Sequence, residues 1–327
     1  RRADGSLYGH NTDYDGFEAL LKRLDYDPLG KKAIILGSGG SSVTVRAVLE
    51  DYGASEITVI SRTGENNYQN LHQHRGASLI VNTTPVGMYP HNGVSPIPLD
   101  DFTACEAVID IIYNPAQTKL LWDAQQKGVR RINGLPMLVA QAKCAAELFT
   151  GHAIDDGLID EIAARIERQT KNVLLIGMPS SGKSTIGKAL ALQTGRMFWD
   201  MDKMIEEQAG RGIPDIIGRD GEPAFRKLET DMLAEVSKRS GAVIATGGGI
   251  VTVPTNLPLV RQNSVCVFLK RDLGKLSVSG RPLSLKYGVD VLYKTRLPLY
   301  QAWSDLEVDS NKSIQRTVKA IREALKL

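Results

Sequence analysis

One segment of this chain constrains its fold more than any other: a glycine-rich loop that directly follows a short aliphatic run. The run is Asn172-Val-Leu-Leu-Ile, and the loop is Gly177-Met-Pro-Ser-Ser-Gly-Lys-Ser. A continuous run of apolar residues is typical of a parallel strand that is buried on both faces. The loop fits the pattern G-x-x-x-x-G-K-[ST] in full, and the residues after it favour a helix. The segment therefore predicts a phosphate-binding loop inside a parallel α/β domain.

The chemistry of this loop follows from its residue types. Glycines let backbone N–H groups turn inward around phosphate oxygens, and the next helix points its N-terminus at the same charge. Lys183 is expected to reach the β- and γ-phosphates of ATP, and the hydroxyl of Ser184 to bind Mg²⁺. An ordinary glycine turn is the alternative, and the flanking strand and helix disfavour it. The residues predicted to contact ATP are Gly177, Ser180, Ser181, Gly182, Lys183, Ser184 and Thr185.

The composition is that of an ordinary globular protein of about two domains. The chain has 327 residues, 42% of them hydrophobic and 24% charged, which disfavours disordered and fibrous classes. The net charge is +3 and the basic residues are not clustered, so nucleic acid is not an expected partner. No apolar run is long enough to span a bilayer and no signal peptide opens the sequence, so no membrane partner is expected.

The cysteines and histidines give no metal or disulfide pattern. Cys105, Cys144 and Cys266 stand apart in the sequence. Unpaired cysteines suit a reducing cytoplasm, and they argue against a disulfide framework and against a zinc site. His72 and His74 have no cysteine or carboxylate partner at ligand spacing, so a solvated helix is favoured over a metal site.

A second glycine loop, Gly37-Ser-Gly-Gly, follows the aliphatic run Lys32-Ala-Ile-Ile-Leu near the start of the chain. Further apolar runs predict strands at residues 56–61, 78–82, 107–112, 242–245 and 265–269, with helical patterns between them. This alternation predicts α/β folds in both halves. The charged, amphipathic stretch at residues 160–168 is expected to be the last helix of the first domain. The two domains are therefore placed at residues 1–170 and 171–327.

Polar motifs follow the phosphate loop. Asp200 and Asp202 stand two residues apart at the predicted end of a strand, where alternation would turn both side chains toward the loop. Beside a phosphate loop, such a pair favours a magnesium and hydroxyl-binding site over a solvated turn. Arg226 lies on a helical stretch three residues before Glu229, and a surface ion pair is the alternative role for it.

Glycines and arginines continue the series. Gly247, Gly248 and Gly249 end a buried strand, and three glycines in a row let a ligand lie directly against the backbone. The segments Gly280-Arg-Pro-Leu and Arg296-Leu-Pro-Leu-Tyr add two arginines in a polar region that is expected to form a lid.

The ordered set of phosphate loop, Asp-x-Asp, Phe-Arg-x-x-Glu, Gly-Gly-Gly, Arg-Pro-Leu and Arg-x-Pro-x-Tyr resembles the shikimate kinase family over residues 171–327. The resemblance implies that Asp200 holds Mg²⁺. It implies that Asp202 binds shikimate and orients the attacking hydroxyl, and that Arg281 closes over the transferring phosphate. Lys183, Asp202 and Arg281 are thus the residues implied to act in the chemical step.

The same resemblance implies how the substrate is held. Arg226 and Arg296 would clamp its carboxylate, which suits the guanidinium fork, and Gly247–Gly249 would back its ring. A kinase of a sugar acid or of a nucleoside monophosphate is one alternative, and a nucleotide-binding sensor without turnover is another. The arginines and glycines favour a compact carboxylated ring, and Asp202 and Arg281 favour turnover.

The motifs of the first half resemble the NADP-binding, C-terminal half of shikimate dehydrogenase, over about residues 8–168. The matching segments are Gly9-His-Asn-Thr-Asp, Gly37-Ser-Gly-Gly, Ile60-Ser-Arg-Thr, Asn82-Thr-Thr-Pro-Val-Gly-Met, Asp110-Ile-Ile-Tyr-Asn-Pro and Gly134-Leu-Pro-Met-Leu-Val-Ala-Gln. The resemblance implies that Asp13 is a catalytic carboxylate and that Asn11, Asp13 and Gln141 bind shikimate. The residues implied to bind NADP are Gly37, Gly39, Gly40, Ser61, Arg62, Thr63 and Met137.

Some positions of this half admit a second interpretation. The glycine loop has Ser42 in place of the last glycine of G-x-G-x-x-G, so a plain strand–helix turn is the alternative. Ser61 stands where the family has asparagine, while Arg62 after it favours NADP over NAD. Met137 and Tyr113 are equally compatible with core packing.

The first residue is Arg1 and the first methionine is Met88, so we expect a fragment of a longer protein. The dehydrogenase family's N-terminal substrate domain, with its catalytic lysine, has no counterpart in this sequence. General-acid help of the kind that lysine supplies is typically worth ~10²–10⁴ in rate. We therefore expect the first half to bind NADP with little or no dehydrogenase turnover.

Together the resemblances imply a Rossmann-like NADP-binding domain followed by a phosphate-loop NTPase domain of the nucleoside-monophosphate-kinase type, both with parallel sheets. The kinase would convert shikimate to shikimate 3-phosphate with ATP and Mg²⁺. The dehydrogenase part would reduce 3-dehydroshikimate with NADPH in the full-length protein. Because the product of one reaction is the substrate of the other, the expected protein is a bifunctional enzyme of aromatic amino-acid (chorismate) biosynthesis.

Overall fold

The computed structural model of the chain describes residues 4–276 and 282–327. The chain folds into two compact units, Arg1–Arg165 (unit 1) and Ile166–Leu327 (unit 2). Each unit contains a five-stranded parallel sheet, so the predicted α/β class is confirmed. The division falls inside a helix close to the predicted junction, and the domain limits at residues 1–170 and 171–327 stay a prediction.

Unit 1 alternates strands and helices. Its elements in chain order are α1 (Thr12–Leu24), β1 (Lys32–Leu36), α2 (Gly40–Asp51), β2 (Glu56–Ile60), β3 (Leu79–Asn82), β4 (Ala107–Asp110), α3 (Lys119–Gln126), β5 (Arg130–Asn133), α4 (Leu135–Thr150) and α5 (Gly157–Thr170), which continues into unit 2. Successive residues of β1 belong to two separate apolar clusters, because both faces of the sheet are covered.

The strand order of unit 1 fixes the place for a ligand. The order is β2-β1-β3-β4-β5. Strand β1 pairs with β2 on one side and with β3 on the other, so the chain changes direction across the sheet at β1. In open α/β sheets, ligands bind outside the carboxyl ends of the strands at such a switch point. The loops at residues 37–39 and 83–86 therefore lie where a cofactor is expected.

Unit 2 has the same architecture with a different strand order. Its further elements are β6 (Asn172–Ile176), α6 (Lys183–Thr194), β7 (Phe198–Asp200), α7 (Met201–Ala209), α8 (Ile213–Asp220), α9 (Glu222–Val236), β8 (Val243–Ala245), α10 (Asn256–Asn263), β9 (Ser264–Lys270), α11 (Pro282–Tyr287), α12 (Val289–Trp303), β10 (Leu306–Asp309) and α13 (Ile314–Leu325). The order is β10-β9-β6-β8-β7, which places β6 at the centre between β8 and β9. The phosphate loop therefore leaves the middle of the sheet.

Two strands of the structure were not predicted, β5 and β10. Both lie at a sheet edge and are short, and most of their residues are partly or fully exposed. They therefore carry no apolar run that the sequence could show. In the described part of the chain, no helix has both the length and the apolar character that a bilayer crossing requires.

Candidate functional site

The phosphate loop runs from the end of β6 to the start of α6. Gly177 and Gly182 have φ of +144° and +94°, and Ser180 between them has φ of +68°. Positive φ is costly for a residue with a side chain, so Ser180 holds local strain of the kind that clusters at ligand sites. At Gly177 a Cβ atom would also lie 2.8 Å from the carbonyl oxygen of Leu269. The shape of this loop therefore depends on its glycines.

Lys183 and Ser181 are buried inside this loop. The Nζ atom of Lys183 donates hydrogen bonds to the carbonyl oxygens of Gly177 and Met178, at 2.9 and 3.0 Å. The ammonium group thus lies within the curve of the loop. The Oγ atom of Ser181 is buried and has no hydrogen-bond partner in residues 4–276 and 282–327. Because buried hydroxyls are normally bonded, this one is suited to a ligand oxygen.

Asp200 and Asp202 do not share a strand, so the prediction that alternation turns them to one side is wrong. Strand β7 ends at Asp200, which caps α7 by accepting a hydrogen bond from the Lys203 N–H at 3.4 Å. Asp202 lies in the first turn of that helix. Its Oδ1 atom is 3.0 Å from the place of a Cβ at Gly247. Asp202 therefore faces the glycine series after β8.

The glycines after β8 are in close contact with charged side chains. At Gly249 a Cβ atom would collide with the guanidinium group of Arg226, and at Gly247 with the carboxylate of Glu229. The sequence predicted that the missing side chains leave room for a ligand. In the structure, side chains of the protein fill that room, because only glycine permits so close an approach. The glycines thus hold Arg226 and Glu229 against the backbone.

Gly248 links this group to the phosphate loop. A Cβ atom there would lie 2.7 Å from Cδ of Pro179, which belongs to the loop. The carbonyl oxygen of Gly248 accepts a hydrogen bond from Nη1 of Arg296 at 3.2 Å and another from the hydroxyl of Tyr300. The backbone after β8 is therefore fixed between the phosphate loop and α12.

Arg226 is held by two carboxylates of its own helix. Its Nη1 donates to Glu229, and its Nη2 donates to Glu222 at 2.9 Å. Burial alone would lower the pKa of Arg226, but the two carboxylates outweigh it and raise that pKa. Burial also raises the pKa of Glu229, against the attraction of Arg226. The ion pair is thus buried and not at the surface, and it leaves further guanidinium donors for a ligand.

Arg296 is the other buried cation of this region. Only 4% of its surface is exposed, and no carboxylate of the described residues forms an ion pair with it. Its charge acts on Glu229 from a longer distance. A buried cation is costly unless an anion compensates it. The space beside Arg296 is therefore suited to a negatively charged ligand.

Three further predicted residues complete the account of unit 2. Arg281 lies outside the described residues. In the first turn of α6, Ser184 is half-buried and Thr185 is exposed. The Ser184 hydroxyl and the Asp200 carboxylate are hard oxygen donors of the kind that Mg²⁺ prefers, so these residues fit the ion.

An open pocket of about 670 Å³ lies at the switch point of unit 1, a usual size for a small-molecule site. It is lined by the loops after β1, β2 and β3. Four of the residues predicted to bind NADP line it: Gly37, Gly39, Ser61 and Arg62. The rest of the lining includes Ser38, Tyr68 and residues 83–86. Arg62 is exposed and lies beside Tyr68, so it offers a cation to an anionic ligand at the pocket's edge.

The glycines of this pocket differ in what surrounds them. Gly37 has φ of +104°, and a Cβ atom there would lie 2.9 Å from the Thr83 hydroxyl oxygen. Around Gly39 and Gly40 nothing lies within 4 Å of that position. The fold itself therefore requires Gly37, whereas Gly39 leaves open space toward the pocket.

The residues implied to bind shikimate in unit 1 come together. The Nε2 atom of Gln141 donates to Oδ1 of Asp13 at 2.8 Å. Asn11 caps α1 by accepting from the Asp13 N–H at 3.0 Å, and its amide donates to Thr44 at 3.1 Å. A Cβ atom at Gly16 would lie only 2.8 Å from the Gln141 side chain, so α1 and α4 pack closely here. The group is thus held by two rigid elements.

The structure also shows the surroundings of Met137, Tyr113 and Thr63. Met137 is buried in the core beneath α1, which is the packing interpretation that the sequence left open. Tyr113 is 49% exposed and does not pack in the core. The carbonyl oxygen of Thr63 accepts a hydrogen bond from the Ser61 hydroxyl, which shapes the turn after β2.

Asp110 is a buried carboxylate to which the sequence assigned no role. Its Oδ1 accepts from the Asn82 amide at 3.0 Å and the Ile112 N–H at 3.1 Å, and its Oδ2 accepts from the Thr118 hydroxyl at 2.6 Å. Burial raises the pKa of Asp110 to about 6. Asp110 therefore ties together the segments that follow β3 and β4. A single acid at the end of an apolar strand was the signal for it in the sequence.

Comparison with known proteins separates the two units. The family model of shikimate kinase matches residues 179–326. Shikimate kinase of Nitrosomonas europaea is 34% identical over 167 residues, which cover 47% of this chain and 79% of that protein. The chain belongs to the shikimate kinase family. A solved shikimate kinase of Acinetobacter baumannii, in complex with shikimate, is 30% identical and covers 50% of this chain and 97% of that one, with a TM-score of 0.46.

Beyond the shikimate kinase family, the first half has relatives of its own. Shikimate dehydrogenase (NADP(+)) of Clostridium perfringens is 33% identical over 172 residues, which cover 49% of this chain and 64% of that protein. The chain thus spans somewhat less than two thirds of such relatives. Both resemblances predicted from the sequence are confirmed.

Proposed function

We propose that unit 2 transfers the γ-phosphoryl group of ATP to the ring 3-hydroxyl of shikimate. The observation that carries this proposal is Arg296, a buried cation that no carboxylate of the described residues pairs with. It lies at the backbone of Gly248, and the same backbone contacts the phosphate loop through Pro179. A carboxylated substrate bound at Arg296 would therefore have its ring next to the bound phosphates.

The phosphate loop supports the nucleotide part of this proposal. Lys183 already places its ammonium group inside the loop, and the buried Ser181 hydroxyl is free to donate to a phosphate oxygen. Ser184 and Asp200 would hold Mg²⁺, which neutralises charge on the phosphates. Phosphoryl transfer depends mostly on such positioning and charge, so these groups support binding and activation of the phosphate donor.

The acceptor side follows from the charges around the three glycines. Asp202 faces Gly247 and would orient the attacking hydroxyl. Arg226 and Arg296 would hold the carboxylate with guanidinium forks. Glu229 and Glu222 fix the direction of Arg226, so they act as positioning residues. Arg281 is assigned to the chemical step by the family resemblance alone.

An ADP-release assay tests the proposal directly. The chain is supplied with ATP, Mg²⁺ and one of three acceptor conditions: shikimate, a sugar acid, or none. Release that depends on shikimate supports the proposal. Release with the sugar acid instead would assign a different small-acid kinase, and equal release without an acceptor would leave no transfer reaction to assign.

The arginine roles predict a split between KM and kcat. Arg226→Ala and Arg296→Met should mainly raise the KM for shikimate, by about 30-fold or more, because a charge-assisted fork is worth roughly 2–3 kcal/mol. Arg281→Ala should mainly lower kcat, because its partner charge develops in the transition state. Arg219→Met, at a side chain that is 72% exposed, is the matched control. Steady-state kinetics with the reverse pattern would overturn these roles.

We propose further that unit 1 binds NADP and belongs to a shikimate dehydrogenase that reduces 3-dehydroshikimate. The pocket at the switch point supports this, with bare backbone at Gly39 and the cation of Arg62 at its edge. Asp13 and Gln141 would bind the shikimate ring from α1 and α4. The product of this reaction is the substrate proposed for unit 2.

Arg62 tests the choice of cofactor. Arg62→Gln should weaken NADP binding about fivefold and leave NAD binding unchanged, because an exposed ion pair is worth up to about 1 kcal/mol. Arg46→Gln, on the exposed face of α2 where Arg46 pairs with Glu50, is the control. Calorimetry that shows an equal loss of affinity for NAD and NADP would contradict a contact between Arg62 and the 2′-phosphate of NADP.

We propose a cytoplasmic location for these activities. Its support is that Cys105, Cys144 and Cys266 are all free thiols, which suits a reducing compartment.

A further inference from the structure

A group of metal-ligating side chains lies on unit 1 outside both proposed reactions. His10 precedes α1, Asp15 lies on α1, and Cys144 lies on α4. Their ligand atoms, a ring nitrogen, a carboxylate oxygen and Sγ, all lie within 4.8 Å of one another. We propose that His10, Asp15 and Cys144 form a zinc-binding site. The unpaired cysteines of the sequence argued against such a site, but folding brings one of them to a histidine and an aspartate far away in the chain.

The donor set selects the metal. Imidazole nitrogen, carboxylate oxygen and thiolate sulfur are the three ligand types that Zn²⁺ takes in proteins. Mg²⁺ and Ca²⁺ require oxygen ligands, so the sulfur of Cys144 disfavours them. Three protein ligands leave a fourth tetrahedral position for water or another ligand.

The three ligand atoms are close enough for a metal site after a small rearrangement. The Nε2 atom of His10 lies 2.6 Å from Oδ2 of Asp15. The thiol of Cys144 donates to the same aspartate, so all three side chains meet at one point. Ligand atoms around tetrahedral zinc are about 3.3–3.8 Å apart, given bond lengths of about 2.0–2.3 Å. Zinc binding would require the His10–Asp15 pair to open by roughly 1 Å.

The surroundings orient the ligands. The Nδ1 atom of His10 lies 3.5 Å from the hydroxyl of Tyr8, and the two rings stack at 6.3 Å between centroids. A partner at the second ring nitrogen is the usual way in which proteins orient a metal-binding histidine. Asp15 and Cys144 stand on helices that Gly16 brings into close contact. Two of the three ligands are therefore held by a rigid pair of helices.

Cobalt provides the test, because its spectrum reports the ligands without an activity assay. The reduced full chain is freed of metal with a chelator, titrated with Co²⁺, and then competed with Zn²⁺. We expect one Co²⁺ per chain with a thiolate-to-cobalt charge-transfer band that Zn²⁺ abolishes. Cys144→Ser should remove the band and weaken Zn²⁺ binding at least about tenfold, and His10→Gln and Asp15→Asn should also weaken it.

Two matched variants serve as controls. Cys105→Ser removes another half-buried thiol of unit 1, and His152→Gln removes an exposed histidine of the same unit. Both should bind metal as the unaltered chain does. A band that persists in Cys144→Ser, or a triple ligand variant that binds Zn²⁺ as tightly as the unaltered chain, would overturn the proposal. His10→Gln alters an exposed segment before α1, so it decides the matter if Cys144→Ser fails to fold by circular dichroism.

Discussion

The two glycine loops of this chain begin alike and end differently. Each leaves a buried strand in the interior of a parallel sheet and leads into a helix. In unit 2 the loop has positive φ at Gly177, Ser180 and Gly182 and encloses a lysine, whereas in unit 1 only Gly37 of residues 37–40 has positive φ. A loop that binds a phosphate group directly benefits from a cation such as Lys183 within it. A loop that a cofactor packs against needs residues without side chains, so that the cofactor can approach the backbone closely.

The units also differ in the buried carboxylate beside each site. Glu229 is paired with Arg226, so a charge compensates its burial. Among the described residues, Asp110 accepts hydrogen bonds from neutral donors alone, and burial raises its pKa to about 6. A cation therefore compensates the buried carboxylate of unit 2, whereas the buried carboxylate of unit 1 is expected to respond to pH.

The largest effect is expected from the lysine that distinguishes the loops. Lys183→Ala should lower kcat for phosphoryl transfer at least about a hundredfold, because a charge that stabilises the transferring phosphates is lost. Lys188→Ala, an exposed lysine of the same helix, is the control. ADP release is the measurement, and NADP binding by unit 1 should not change. Equal turnover in both variants would remove the phosphate loop from the reaction.

Asp110 should make the stability of unit 1 depend on pH. Its pKa is raised in the folded state, so its contribution to stability is complete below about pH 4 and is lost as the pH rises to about 6. The difference of about two pKa units corresponds to roughly 3 kcal/mol. Asp110→Asn should remove most of this dependence.

Urea unfolding between pH 4 and 7, followed for each unit by pulse proteolysis, measures this effect. The control is unit 2 in the same samples, which has its own fragment pattern. A free energy of unfolding for unit 1 that is flat over this range, or that falls equally with rising pH in the unaltered chain and in Asp110→Asn, would contradict the assignment to Asp110.

The smallest effects on binding and stability are expected from Gly37 and Gly39, which Ser38 separates. Gly39→Ala should weaken NADP binding about tenfold without loss of stability, because its side chain would occupy open space in the pocket. Gly37→Ala should instead lower the free energy of unfolding by about 1–2 kcal/mol, because its φ of +104° strains any side chain. NADP titration and urea unfolding of both variants separate the two roles. If both variants lost stability alike, Gly39 would be required for folding and not for NADP binding.

The sequence predicted the interior strands of both sheets and two of the four edge strands, β2 and β7, and missed the other two. Strands β1 and β6 are buried on both faces, so their residues had to be continuously apolar. Strands β5 and β10 lie at the sheet edges, where exposed positions are tolerated, and no pattern marked them. Asp202 was placed on a strand because spacing alone does not show that α7 begins at Met201.

The sequence predicted site residues that lie in one contiguous motif, and it missed groups of residues that are distant in the sequence and meet only in the folded structure. The phosphate loop is contiguous, so its residues were evident from spacing. The pairing of Arg226 with Glu229 was visible at a spacing of three, but its burial was not, because it depends on the glycines after β8. His10 and Cys144 meet only through the packing of α1 on α4, which no local pattern records.

The position of Lys183 within its loop has a consequence for how a nucleotide binds. Two carbonyl groups of the loop accept hydrogen bonds from its ammonium group, and these bonds help to hold the curve of the loop. An arriving phosphate exchanges with these carbonyls and does not have to order a collapsed segment. The entropy of ordering the loop is therefore lost during folding and not when a phosphate binds.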